Sequence, residues 1–87
     1  MVHDPSALAE IHRLAHLNRI AFSTHAQRRL AERGAEREDV RVALTSSTSA
    51  SRQDRGTWRV AGGRDRAGDE LTVIVDIEAD VIVVTIF

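Results

Sequence analysis

A chain of 87 residues with a formal charge of −1 has room for one hydrophobic core but not two, so any site lies on that core's surface or where the chain meets a partner. It has no cysteine, which removes disulfides, thiolate nucleophiles and cysteine-based metal sites from consideration. All 12 basic side chains are arginine and all fall between Arg13 and Arg66, so near-neutrality conceals an uneven charge distribution.

The N-terminus lacks the charged start, apolar stretch and cleavage site of a secretion signal. No apolar run approaches the roughly 20 residues of a membrane-spanning helix. A cytoplasmic protein without membrane contact is expected.

Asp4 followed by Pro5 predicts a helix start, with the carboxylate accepting a free amide and proline placed where no donor is needed. From Ser6 to Asn18, Leu8, Ile11, Leu14 and Ala15 form an apolar stripe fit to pack on a sheet. His12 and His16 stand four apart, a spacing a metal tolerates. No cysteine or HExxH pattern accompanies them, and packing or surface roles are expected instead, with no metal and no cofactor.

Ile20 and Phe22 anchor a connection into a second helix. Thr24 and Gln27 there form a TxxQ capping box, Ala26 and Leu30 face the core, and Gly34 closes the helix in the left-handed conformation. A third helix is predicted from about Glu36 to Leu44, burying Val40, Ala43 and Leu44; its acidic start, Glu36, Glu38 and Asp39, suits the positive end of the helix dipole. Residues 45–56 read as either a mobile loop or an edge strand.

Thr57–Gly62, Leu71–Ile77 and Val81–Phe87 then read as strands separated by short turns, too short for the crossover that parallel neighbours need. In the last strand Val81, Val83, Thr85 and Phe87 alternate with Ile82, Val84 and Ile86, and both faces are largely apolar. Such a strand is central, curls inward, or is covered by a partner. The fold class expected is α+β, a single domain over residues 1–87 with N-terminal helices packed on a curled antiparallel sheet of three to four strands.

The stretch FSTHAQRRLAERG, residues 22–34, carries the chemistry. His25, Arg29 and Arg33 recur every four residues, which on a helix makes one slowly rotating stripe of nitrogen-bearing side chains. Two arginines one turn apart favour an anion between them. If it is an internal carboxylate, with Asp65, Asp76 and Glu78 the candidates, the stripe locks the helix to the sheet. If it is an RNA phosphate, the guanidinium forks position it and stabilise charge on the phosphoryl oxygens while His25 relays a proton, so catalytic roles fall to His25, Arg29 and Arg33.

Arg28, Arg59, Arg64 and Arg66 extend the RNA-binding surface, though Asp65 and Asp69 weaken the local field. Trp58 and Phe87 are candidate interaction anchors. Gly62, Gly63 and Gly68 match no phosphate-binding loop and are read as turn residues.

The chain resembles the domain-of-unknown-function family numbered 4258, small bacterial domains related to RelE-like and BrnT-like toxins. His25, Ala26, Arg29, Arg33 and Gly34 carry the likeness, followed by Val40, Gly56, Gly68, Val73 and Val75. The resemblance implies a RelE-like fold and a ribonuclease or toxin–antitoxin role, with RNA, a cognate antitoxin or other protein, and a second copy joined through the sheet as partners. The chain departs from it in having Glu36 where a serine-like cap is usual, and in lacking tyrosine and lysine. The rival reading is a noncatalytic protein-interaction module in which the arginine stripe is structural.

Overall fold

Asp4 opens the first helix, α1 (Pro5–His16): its carboxylate accepts hydrogen bonds from the amides of Ser6 and Ala7 at 3.0 and 3.1 Å. These coordinates are a computed structural model that describes residues 2–87. Ala7, Ile11, Leu14 and Ala15 are buried along one side of α1. The helix stops short of the predicted Asn18 because that residue turns left-handed, at φ 57°, and lets the Arg19 amide reach back to the Leu14 carbonyl.

A short strand, β1 (Ile20–Phe22), leads into α2 (Thr24–Arg33). The α2 cap is Ser23, one residue before the predicted Thr24, with Ser23 Oγ accepting the Ala26 amide at 3.0 Å. Gln27 donates to the Phe22 carbonyl rather than closing a capping box with Thr24. Gly34 ends α2 at φ +68°, as expected of a residue without Cβ.

Next comes α3 (Arg37–Ser46), whose start is held by the Asp39 carboxylate accepting the Glu36 amide at 2.9 Å. The remainder is β2 (Ser49–Arg52), β3 (Trp58–Ala61), β4 (Val73–Ile77) and β5 (Val81–Ile86). The polar stretch after α3 thus contains an edge strand and then a turn, resolving the two alternatives for residues 45–56.

The α+β class holds, but the expectation of a curled antiparallel sheet of three to four strands does not. The sheet is mixed, five-stranded and open, in the order β1-β5-β4-β3-β2. β1 runs parallel to β5, with Ile20 opposite Val81 and Phe22 opposite Val83. Parallel pairing is open to β1 because most of the chain separates it from β5, whereas the four later strands, joined by connections too short for a parallel crossover, pair antiparallel. Flanked by β1 and β4, β5 is an interior strand, and this accounts for its two apolar faces without inward curl.

α1 and α3 pack together on one sheet face around Ile11, Leu14, Leu44, Val60, Val75 and Val83, all essentially without solvent contact. Each such side chain contributes about 1.5–3 kcal/mol of burial. His12 on α1 reaches the end of α3, its Nε2 lying 2.9 Å from the Ser47 carbonyl; a carbonyl only accepts, so Nε2 carries the proton. Among the described residues no helix is long and apolar enough to cross a membrane.

The antiparallel register slips once. Val75 faces Val83, but Ile74 faces Thr85, leaving Val84 as the extra residue of a β-bulge. After the bulge Ile86, not Thr85, enters the core, reversing the alternation expected from sequence beyond Val83.

Candidate functional site

β1 ends at Phe22, so the edge of β5 beyond Val83 has no strand to pair with, and α2 takes over that edge side chain by side chain. The Ser23 amide donates to the Val83 carbonyl at 3.0 Å, and Ser23 Oγ–H donates to the Val84 carbonyl at 2.9 Å. His25 Nε2 meets Thr85 Oγ1 at 3.1 Å. Arg29 directs both Nε and Nη2 at the Ile86 carbonyl, each at 3.4 Å. Ala26 and Leu30, on the adjoining side of α2, are buried in the core. The polar stripe and the apolar stripe of α2 therefore both register on the last strand.

None of the three candidate internal carboxylates pairs with the stripe. Asp65 accepts the amides of Ala67 and Asp69 within its own turn, Asp76 accepts the Ile77 amide, and Glu78 is exposed and makes no side-chain hydrogen bond or ion pair with α2 among the described residues. The nearest acid is Glu32, 3.5 Å from Arg29 Nη1 with both side chains exposed, an arrangement of little energetic weight. A neutral carbonyl at 3.4 Å orients the Arg29 guanidinium without neutralising it.

Arg33 and Arg28 are exposed and make no hydrogen bond or ion pair among the described residues. The stripe therefore presents cations, and an exposed imidazole beside them, to solvent.

Arg59 joins this surface through the sheet. It stands opposite Ile74 on β4, which stands opposite Thr85 on β5. Directly opposed residues project from the same face, so Arg59, Ile74 and Thr85 form a row that ends at His25. The row spans roughly 10 Å between Arg59 and Thr85, two strand spacings.

The other predicted arginines are engaged elsewhere. Arg64 donates to the Gly68 carbonyl at 2.9 Å inside its turn. Arg66 grips Asp39 at the start of α3, with Nε to Oδ1 at 2.9 Å and Nη2 to Oδ2 at 3.2 Å. That fork, followed by the Glu36 amide, holds the Asp39 carboxyl well below the usual carboxylate range, and the Arg66 guanidinium is raised in turn.

Trp58 is half-buried against the core, with the Arg52 guanidinium 5.1 Å above its ring. Phe87 is 56% exposed. A concavity of about 250 Å³ lined by Asn18, Ile20, Phe22, Arg37 and Glu38 contains none of the stripe residues. The stripe and the Arg59 row form an open surface, a shape that suits a polymer better than a small molecule.

Sequence reasoning missed Ser23 as the cap, and it missed Thr85 and the Ile86 carbonyl as partners of the stripe. Thr85 had only its polarity within VIVVTIF to mark it, and a carbonyl leaves no mark at all.

Residues 22–87 match the family model described as a domain of unknown function, DUF4258, a span that contains α2, α3 and β2 to β5 and begins after α1. No curated protein and no solved structure matches the chain significantly.

Proposed function

This chain belongs to the DUF4258 family, and for it we propose an RNA-binding domain whose α2–β5 surface supports metal-independent cleavage of the RNA backbone. What supports the reading is a set of cations with no buried counter-charge beside an exposed imidazole: Arg29 oriented by a carbonyl and only loosely paired with exposed Glu32, Arg33 without a partner among the described residues, and His25 on Thr85. A phosphodiester is the anion such a surface fits, with the guanidinium forks on its oxygens.

Cleavage would run through the neighbouring 2′-hydroxyl. His25 takes its proton as the 2′-oxygen bonds to phosphorus; the bond to the 5′-oxygen breaks, and that oxygen gains a proton from solvent. Arg29 and Arg33 stabilise the charge that builds on the phosphoryl oxygens. Arg28 and Arg59 extend the contact to adjoining phosphates. The kinship with RelE-like and BrnT-like toxins implied by the sequence resemblance supports a toxin role, with a cognate antitoxin as the protein partner and a cytoplasmic setting.

The test is an RNA cleavage assay with the purified protein in chelator, comparing wild type with His25→Ala and Arg29→Ala variants verified as folded. Cleavage that both substitutions reduce supports the reading. Wild-type protein that neither cleaves nor binds RNA across a range of salt contradicts it and leaves the noncatalytic protein-interaction module.

A further inference from the structure

Thr85 belongs to a strand otherwise built for the core, and the bulge at Val84 is what keeps it out. In an unbroken register Val84 would face Ile74, and Thr85 would face Val73, which is 1% exposed. Its hydroxyl would then be buried among aliphatic side chains without a partner, at a cost of about 1–3 kcal/mol. The bulge instead sets Thr85 opposite Ile74, in the row shared with Arg59, and brings Ile86 into the core opposite Val73. Bulges bend a strand and re-aim a side chain in this manner. Here the re-aimed hydroxyl arrives 3.1 Å from His25 Nε2.

The same displacement anchors the rest of α2. The carbonyl of the extra residue, Val84, takes the Ser23 hydroxyl that also caps the helix, and the carbonyl of Ile86 takes Arg29. Helix and bulge are thus fitted to each other at residues 83–86, and the imidazole is held from one side.

We infer that Thr85 is the positioning residue for His25: the bulge at Val84 aims its hydroxyl at Nε2, fixes the ring, and leaves Nδ1 as the nitrogen that exchanges a proton with bound RNA. The assignment rests on the RNA reading for its purpose but not for its geometry. A ring held at Nε2 turns a constant edge towards the ligand, and because a hydroxyl both donates and accepts, the bond fixes the ring in either tautomer. The serine hydroxyl at this position makes the same bond, whereas valine keeps the shape and removes it.

The experiment is nitrogen-15 NMR of the imidazole in the full chain, comparing wild type with Thr85→Val and Thr85→Ser, followed by RNA cleavage with the same three proteins. In wild type and Thr85→Ser the His25 Nε2 resonance should agree. In Thr85→Val it should move towards that of a free imidazole. RNA turnover should fall about fivefold in Thr85→Val, through kcat rather than KM, the loss of one neutral hydrogen bond, and return in Thr85→Ser. His25 spectra identical in wild type and Thr85→Val would overturn the assignment. If the spectra change as expected while wild type leaves RNA intact, the positioning stands and the ribonuclease reading falls.

Discussion

The guanidinium of Arg29 rests on the backbone carbonyl of Ile86, two N–H groups against one oxygen at 3.4 Å, and on no buried carboxylate. This separates the two roles a cation on α2 can play. A buried carboxylate would have cancelled the charge, whereas the carbonyl holds the side chain in place and the exposed Glu32 at 3.5 Å is a partner that a ligand can displace. The last strand therefore supplies orientation and the helix supplies charge.

Arg33 isolates the charge from the scaffold, since it has no partner among the described residues. Arg33→Gln should lower folding stability by no more than about 1 kcal/mol, the share of a cation in the last turn of α2. RNA affinity should fall, and the slope of log affinity against log salt should flatten by about 0.7–1, the share of one phosphate contact. Denaturant titration and fluorescence anisotropy over a salt series measure the two effects. An unchanged slope would remove Arg33 from the contact surface.

Ser23→Ala should act in the opposite sense, weakening the fold. It deletes the hydroxyl that caps α2 and ties it to Val84, and the cap alone contributes about 1 kcal/mol. Urea unfolding should show at least that loss; no loss would mean that α2 is held by its apolar side alone.

The clamp between Asp39 and Arg66 predicts a pH dependence. The Asp39 carboxyl is depressed in the folded state, chiefly by the Arg66 fork and then by the Glu36 amide. A depressed carboxyl stabilises the fold fully above its unfolded value, about pH 4, and that contribution is lost as pH falls further. The stability gap between wild type and Asp39→Asn should therefore be widest near neutral pH and shrink below about pH 4. Glu10, lowered by Arg13, is the same in both proteins; Glu38, lowered chiefly by Arg41, is raised by the neighbouring Asp39 charge, so its small change on substitution is part of the difference. A gap independent of pH would exclude the clamp as a source of acid lability.

Gly63 tests the packing of α3 against the hairpin. A Cβ built there would lie 1.9 Å from the Ala43 carbonyl oxygen, a backbone atom that cannot move aside alone. Gly63→Ala should cost about 1–3 kcal/mol through forced displacement of α3. Thermal unfolding reads the loss, and a wild-type midpoint would show that helix and hairpin approach less closely.

The three helices and the three principal strands were legible because each carries its own periodicity and punctuation. Ile11 and Leu14 mark the buried side of α1, Gly34 ends α2, and the β-branched runs mark β4 and β5. What was not legible depends on pairing between distant residues. Ile20–Phe22 is too short to signal a strand by itself and becomes one only because β5 lies beside it. The open mixed sheet, in place of a curled antiparallel one, follows from that pairing.

The site divides in the same way. His25, Arg29 and Arg33 announce themselves by spacing, and Arg59 as a charged residue beside apolar ones. Nothing in VIVVTIF foretells that Val84 is a bulge, so alternation grouped Thr85 with Val81 and Val83 and Ile86 with Ile82 and Val84, whereas Ile86 joins Val81 and Val83 in the core. One extra residue reversed both assignments and supplied the hydroxyl that meets His25.

The most direct measurement of the central claim is an amide and side-chain NMR map of the protein titrated with an oligoribonucleotide. The account predicts shifts concentrated on His25, Arg29, Arg33, Thr85 and Arg59, saturating together and weakening as salt rises. Shifts absent at all concentrations, or confined to the Trp58 hairpin and the Asp39–Arg66 clamp, would contradict it.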